Sequence, residues 1–297
     1  MKFTRETDMY MVKRDEKVFS LLTRPLPNIP DNGYRIKIGT CNICLNHPQA
    51  CFLCTGEIVD VGSNKINDTE HLNSKVVVYT DLWTNEFYQY LSISNKNQLL
   101  ILPKTLTNDY VTHLPGFLLV FPLIKHLSRR SNVVIIGSSY LTNLILLLIQ
   151  KYFINIQNAS TFYIIDENAS RLVNLKKTFK FIQCIHLDKS IYEEYNQERI
   201  NNMICGNQID IVISLIFNKY CIDQLRDSNS QIIKEISLCK TYIEQAFMNY
   251  SDSLDWLDEH IHEINWPNSD EFSYDKLIDF NLKIIKKETD DIAILKF

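Results

Sequence analysis

Two CxxC pairs, Cys41-Asn-Ile-Cys44 and Cys51-Phe-Leu-Cys54, stand six residues apart with His47 between them. Thiolates two residues apart can share one ion, so Cys41, Cys44, Cys51 and Cys54 taken alone read as a metal knuckle or cluster site. Zinc ribbons usually separate their pairs by a longer loop. A strand running through Phe52 to Val61 would also send Cys51 and Cys54 to opposite faces. The competing reading is that these thiols are small apolar fillers of a β core, where cysteine is commonly buried with no further role.

A second stretch carries different chemistry. Val133 to Ile136 is a short β-rich run, Gly137-Ser138-Ser139 is a turn, and Leu141 to Phe153 is apolar with helical length. The plan then repeats: Phe162 to Ile165 as a buried strand, Asp166 at its carboxyl end, and a helix with Leu172, Leu175 and Phe179 spaced for one face. Strand, crossover helix and strand in this span predict a βαβ unit with a right-handed parallel pair. Parallel sheets take ligands at the carboxyl ends of their strands, so Gly137, Ser138, Ser139 and Asp166 are the candidate cofactor-binding residues. The pattern points to a nucleotide-type cofactor without saying which one.

The elements that must position these residues follow from the rest of the chain. Its 297 residues suggest two domains. Residues 1 to 125 read as β-rich, with runs at Arg35 to Ile38, Glu57 to Val61, Lys75 to Tyr79 and Phe87 to Ile93, separated by turn residues such as Asp31-Asn32-Gly33. Such spacing suggests a small barrel or sandwich. Helical periodicity begins near Asn108, with Pro115 and Pro122 limiting its continuity. Ile209 to Phe217 reads as a further buried strand and Ser230 to Phe247 as helical. Ser251 to Ile264 reads as an acidic amphipathic helix, and the last sixteen residues, LKIIKKETDDIAILKF, as two strands.

Composition narrows the function classes. The 31 basic and 35 acidic residues give a net charge of −4, which argues against a general nucleic-acid-binding surface. Residues 251–297 hold twelve acids and five bases, a net of −7, so the preceding chain is slightly basic. No run approaches the roughly 18 apolar residues needed to span a bilayer, which excludes a helical membrane anchor within this sequence. The charged start, MKFTRETDMYMVKRDEK, lacks the apolar core of a signal peptide, and the expected compartment is the cytoplasm. There the cysteines are thiols or ligands rather than disulfides. His113, His126 and His186 are isolated, and His260 and His262 are two apart on a helix and share no face.

The order of the pieces resembles the medium-chain dehydrogenase/reductase superfamily, the zinc alcohol dehydrogenase-like proteins. RIKIGTCNIC resembles that family's strand and "CGIC" turn, CFLCTGEIVDVG its "GHExxGxVxxVG" segment, and KVVVY its "GDRVVV" strand. VVIIGSS with YIIDENASRLVNLKK resembles its cofactor-binding βαβ. The resemblance implies an α/β protein with a GroES-like β domain over 1–115, to which 270–297 would return. A Rossmann-like doubly wound parallel-sheet domain would then occupy 116–269. It also implies an NAD(P)-dependent oxidoreductase acting on a small molecule, as a homodimer. On this scheme Cys44, Asn46 and His47 lie near the nicotinamide as the candidate catalytic residues.

The departures matter as much. Alignment of Gly56 and Gly62 on the zinc signature puts Cys51, Phe52 and Leu53 at the family's Gly-His-Glu, and neither phenyl nor isobutyl ligates zinc. Cys44 matches the first zinc-ligand cysteine without its partner, and the four-cysteine structural lobe is absent from the sequence, so zinc is not expected. Against GxGxxG the chain has Gly137-Ser138-Ser139-Tyr140-Leu141-Thr142, with only the turn glycine kept. Asp166 at the ribose position favours NAD over NADP. Two alternatives remain open: an S-adenosylmethionine-dependent methyltransferase-like protein, which needs only one turn glycine, and a non-catalytic binding or assembly module descended from a dehydrogenase.

Overall fold

The computed structural model describes residues 8–15, 18–44, 51–64, 71–79, 86–94, 98–104, 106, 111–127, 131–204, 208–215, 219–227, 232–237, 242, 245–247, 249–264, 266, 270–276, 279, 281 and 292–296. Contacts divide the chain into two compact units. One comprises Met1–Gly116, Phe247–Glu263 and Asn268–Phe297, the other Phe117–Ala246 and Ile264–Pro267.

The first unit is antiparallel in character. Strands β1 (Asp8–Asp15), β2 (Val18–Pro25) and β6 (Glu86–Tyr88) form a three-stranded sheet in the order β2-β1-β6. A larger sheet runs β14 (Asp270–Ser273), β15 (Ile292–Lys296), β3 (Tyr34–Cys44), β4 (Cys51–Val61), β5 (Lys75–Tyr79) and β8 (Leu99–Ile101). Strand β7 (Tyr90–Ile93) also pairs with β3. The pairing of β15 with β3 brings chain from beyond residue 290 back to the N-terminal sheet, with Leu295 opposite Cys41. Phe87 to Ile93, expected as one strand, is two, β6 and β7, interrupted at Gln89.

The core of this unit follows strand alternation. Ile36 and Ile38 of β3, Ile58 of β4, and Val76 and Val78 of β5 are buried together. Each contributes about 1.5–3 kcal/mol by leaving water. Gly62 is required where it stands, because an added Cβ would lie 2.1 Å from the Pro30 carbonyl oxygen. Gly33 has the same constraint, 2.5 Å from the Ile93 carbonyl oxygen.

The second unit holds a five-stranded parallel sheet of β9 (Asn132–Ile136), β10 (Thr161–Asp166), β11 (Ile182–His186), β12 (Ile209–Ser214) and β13 (Ile232–Ser237), in the order β11-β10-β9-β12-β13. It is preceded by helix α1 (Leu114–Lys125), which keeps Pro122 inside it. The crossovers are α2 (Tyr140–Tyr152) with the short α3 (Ile154–Ala159), then α4 (Ala169–Thr178), α5 (Glu193–Ile204) and α6 (Lys219–Arg226). Val134, Ile136, Tyr163 and Ile165 on one face of the sheet pack with Ile200, Ile204, Cys221 and Leu225 of α5 and α6. Because side chains alternate, Val133, Ile135, Phe162 and Ile164 turn to the other face, and all four are buried. The sheet is therefore covered on both sides, as parallel sheets require.

One expectation fails here. The helical reading of Ser230 to Phe247 is overturned over Ile232–Ser237, which is β13, paired parallel with β12, whereas residues 242 and 245–247 are helical. The isoleucines of IIKEIS suit a pleated strand, and the free edge of β12 supplies the backbone partners that local periodicity cannot reveal. Strand β11 also escaped the sequence reading, because its only buried apolar residues are Ile182 and Ile185. In the first unit, helix α7 (Ser251–His260) stops at His260 and continues as a 3-10 turn to Glu263.

Candidate cofactor loop and cysteine hairpin

In strand order 3-2-1-4-5, the connections leave β9 in one direction and reach β12 in the other. The switch point is therefore the carboxyl end of β9, where ligands of open parallel sheets bind. Gly137 stands there with φ 101°, a conformation that a side chain resists, and its N–H donates to the Ile165 carbonyl at 2.9 Å. The chain then turns through Ser138 into α2, with Ser139 as N-cap in extended conformation. The thirteen residues of α2 include eight buried ones, so the helix is anchored on its apolar face rather than by its cap.

The four candidate cofactor residues come together, and two of them, Ser138 and Asp166, bind each other. The Asp166 carboxylate accepts the Ser138 N–H at 2.6 Å and the Ser138 hydroxyl at 2.7 Å on Oδ2, and the Asn168 N–H at 2.8 Å on Oδ1. Only 5% of Asp166 is exposed. Thr142, at the position of the third motif glycine, is buried and donates its hydroxyl to the Gly137 carbonyl at 2.5 Å. Tyr140 is buried as well, at 1% exposure. Ser139 differs from all of these: its hydroxyl is buried, makes no capping bond and has no hydrogen-bond partner. A buried hydroxyl without a partner costs on the order of 1–3 kcal/mol, and a bound acceptor would relieve that cost.

Around this loop lies a polar edge that the sequence reading did not single out. Lys189 Nζ is 2.7 Å from Glu167 and lies 5.1 Å from the centre of the Tyr220 ring. Buried Asn196 accepts the Asp188 N–H at 3.2 Å. Its amide donates to the Asp188 carbonyl at 2.9 Å and to the Tyr220 hydroxyl at 2.7 Å. His186 Nε2 is 3.1 Å from the Glu167 carbonyl oxygen. Glu167, the 186–196 stretch and Tyr220 are separated in sequence and are brought together by the ends of β10 and β11 and the first turns of α5 and α6. An open groove of about 540 Å³ lies beside them, lined by Ser190, Tyr192, Tyr195, Glu198, Arg199 and Asn202. Burial first, and then the Glu167 and Asp166 carboxylates, push the Cys221 thiol up, away from the thiolate form.

The cysteine hairpin is ordered by two irregularities. Between Ile38 and Thr40 the pairing with β4 advances two residues on β3 against one on β4, so Gly39 is an extra residue. That bulge re-aims Cys41 into the core beside Ile38, where simple alternation would have chosen Thr40. Cys41 and Cys54 are directly opposite, both 2% exposed, with their sulfurs 2.9 Å apart. A second register shift lies between Cys41 and Ile43 and sets Cys51 opposite Ile43, so the unbroken alternation expected from Cys51 to Cys54 is interrupted. Among the described residues no three His, Cys, Asp or Glu side chains are grouped to hold a metal ion. The side chains of Cys44 and Cys51 lie outside the described residues, as do Asn46 and His47 altogether. Leu53, at the Glu position of the family's Gly-His-Glu, is a core residue at 1% exposure.

A two-part architecture with an antiparallel N-terminal unit and a Rossmann-type unit is the one that the sequence resemblance implied, and the comparison with solved structures agrees. Over 98% of its length the chain superposes on a mycobacterial protein complexed with NADPH, covering 100% of it with a TM-score of 0.68 and 10% identity. It is likewise similar to a Pseudomonas syringae quinone oxidoreductase (TM-score 0.66, 8% identity, 98% and 100% covered). A third such structure is a short chain alcohol dehydrogenase from E. coli complexed with NADH (TM-score 0.65, 13% identity, 98% and 100% covered). The chain has the fold of the medium-chain dehydrogenase/reductase superfamily, a GroES-like domain followed by a Rossmann domain. No protein-family model and no curated protein sequence matches it.

Proposed function

We propose that the chain is a divergent, zinc-independent medium-chain dehydrogenase/reductase-like protein, an oxidoreductase that takes a nicotinamide dinucleotide at the Gly137 turn. The observation that carries this reading is the partnerless buried hydroxyl of Ser139 at the start of α2, next to a glycine with φ 101° at the sheet's switch point. A helix start with unused donors suits a pyrophosphate. Ser139 and the first-turn amides of α2 would hold it, and Asp166 would accept the ribose hydroxyls.

The residues fit the cofactor with one adjustment. A carboxylate has about four acceptor sites, and the loop already uses three of those on Asp166. A ribose therefore takes the remaining site on Oδ1 or displaces the Ser138 hydroxyl. The carboxylate also repels a 2′-phosphate, which favours NAD over NADP. When bound, the nicotinamide supplies or accepts a hydride. The protein's part is then to orient it, with Cys44, Asn46 and His47 proposed at the substrate side from the resemblance alone. Phe52 and Leu53 at the family's His and Glu positions support zinc independence. The cytoplasm, a small-molecule substrate and a homodimer belong to the same proposal. Among the described residues no helix is long and apolar enough to cross a membrane.

A second reading has its own observation. Ser138 seated on Asp166, with Tyr140 buried beside it, is a closed loop, and a non-catalytic binding or assembly module has no need to open it. Titration calorimetry of the full chain separates the two. Saturable binding of NADH, tighter than NADPH, is expected. Absence of heat with either at millimolar concentration would leave the assembly reading. A thermal shift with S-adenosylmethionine and none with NADH would transfer the site to a methyltransferase-like chemistry.

A further inference from the structure

The cysteine hairpin carries chemistry that the cofactor loop does not use. Cys41 and Cys54 are Cα partners on adjacent antiparallel strands, a placement compatible with the Cα separation of a disulfide. Their sulfurs, 2.9 Å apart, are within about 1 Å of the ~2.05 Å bond length. Both side chains are held by the same buried cluster, with Ile38, Ile58, Val76, Val78 and Leu295. On the adjacent rung Thr40 and Thr55 bring their hydroxyls to 2.5 Å, so the two strands are already locked in register where the bond would form.

We propose that Cys41 and Cys54 are a redox-modification site, a cross-strand dithiol that closes reversibly to a disulfide on oxidation by a hydroperoxide. Burial restricts the oxidant to a small one, and hydrogen peroxide is little larger than water. One thiol gives two electrons to the peroxide O–O bond, becoming a sulfenic acid and releasing one water. The partner sulfur attacks that sulfenic sulfur, the S–O bond breaks, and its proton leaves with the hydroxyl as a second water. Two thiols and one peroxide thus yield one disulfide and two waters. With the resolving sulfur 2.9 Å away, capture outruns further oxidation to sulfinic acid. The bond would staple the chain between residues 41 and 54 at the end of the hairpin. Neither its formation nor its detection requires a bound dinucleotide.

The test uses the reduced full chain treated with a small molar excess of hydrogen peroxide, alkylated after unfolding, and mapped without reduction. The expected result is a single Cys41–Cys54 linkage, two hydrogens lighter, and a thermal midpoint raised by roughly 5 °C. Dithiothreitol should reverse both. In Cys41→Ser the Cys54 sulfenic acid lacks its cross-strand thiol and should be captured by dimedone added as the chain is unfolded. The proposal is overturned if both thiols remain fully alkylatable while exposed methionines are oxidised. A linkage of either cysteine to Cys44 or Cys51 would overturn it too, as would sulfinic acid as the main product. A tightly held zinc ion that blocks alkylation of Cys41 and Cys54 would assign the pair to a metal instead. The unsubstituted protein decides these outcomes, so a variant that fails to fold leaves the test intact.

Discussion

The loop after β9 and the hairpin of β3 and β4 both attract attention as short stretches of small, chemically capable side chains, and the fold handles them in opposite ways. In the loop, the reactive group is an acid whose hydrogen-bonding capacity is mostly spent on its own neighbours, Ser138 and Asn168. In the hairpin, two register shifts leave a matched pair of thiols whose contact serves no backbone need. The difference is between a carboxylate that holds a turn closed and a sulfur pair carried by strands that would pair without it. A residue at a motif position is therefore not yet a ligand residue. What else it must satisfy in its own chain decides whether it can bind anything.

The largest effect is expected at Asp166. Asp166→Ala strands one buried N–H, one part-buried N–H and one hydroxyl, and should cost about 3 kcal/mol, lowering the thermal midpoint by roughly 10 °C. A loss below about 1 kcal/mol would mean that the carboxylate does not close the turn. Next in size is Gly137→Ala. At φ 101° a Cβ should destabilise by about 2 kcal/mol, read as a lower urea midpoint at unchanged m-value.

Ser138→Ala sharpens the contrast by splitting stability from binding. Loss of one hydrogen bond to Asp166 should cost about 1 kcal/mol, yet it frees an acceptor, so NADH should bind several-fold more tightly in calorimetry. Weaker NADH binding would instead give the Ser138 hydroxyl a direct part in the site. Ser139→Ala should stabilise the fold by about 1 kcal/mol, because the buried hydroxyl it removes has no partner. Its NADH affinity should nevertheless fall by roughly tenfold if that hydroxyl meets a phosphate.

The smallest effect concerns pH. Partial burial, and then the Lys234 ammonium, push the His126 imidazole below its ordinary value. The folded state thus binds fewer protons there than the unfolded chain does. Its contribution is present above the usual imidazole range and is lost as pH falls through it. His126→Gln should flatten the stability profile slightly between about pH 7 and pH 5, the range of an ordinary imidazole. An unchanged slope in denaturant titrations would assign that region's pH response to other groups.

Strand β9, the Gly137 turn, helix α2 and strand β10 were legible to within a residue or so, because periodicity and local turn chemistry suffice for a βαβ unit. Strand β5 was legible at both ends for the same reason, since KVVVY is β-branched and bounded by polar residues. Strand β13 was not, because IIKEIS becomes a strand through pairing with β12, a partner some twenty residues away. The polar edge of Glu167, Lys189, Asn196 and Tyr220 carries no spacing signal, since its members lie on different elements. For the candidate site, the residue types and their neighbourhood were readable. Who bonds to whom was not.

By itself the sequence determined the βαβ unit, the β-rich first half, and the loss of the second phosphate-loop glycine and of the zinc-binding residue types. These are local properties of composition and period. Only the tertiary structure decided that Asp166 is engaged by Ser138, that the Ser139 hydroxyl is left over, and that Cys41 meets Cys54 after a bulge at Gly39. The physical reason is that hydrogen-bond satisfaction and strand register are settled between distant segments, where each group takes the partner that packing brings within reach.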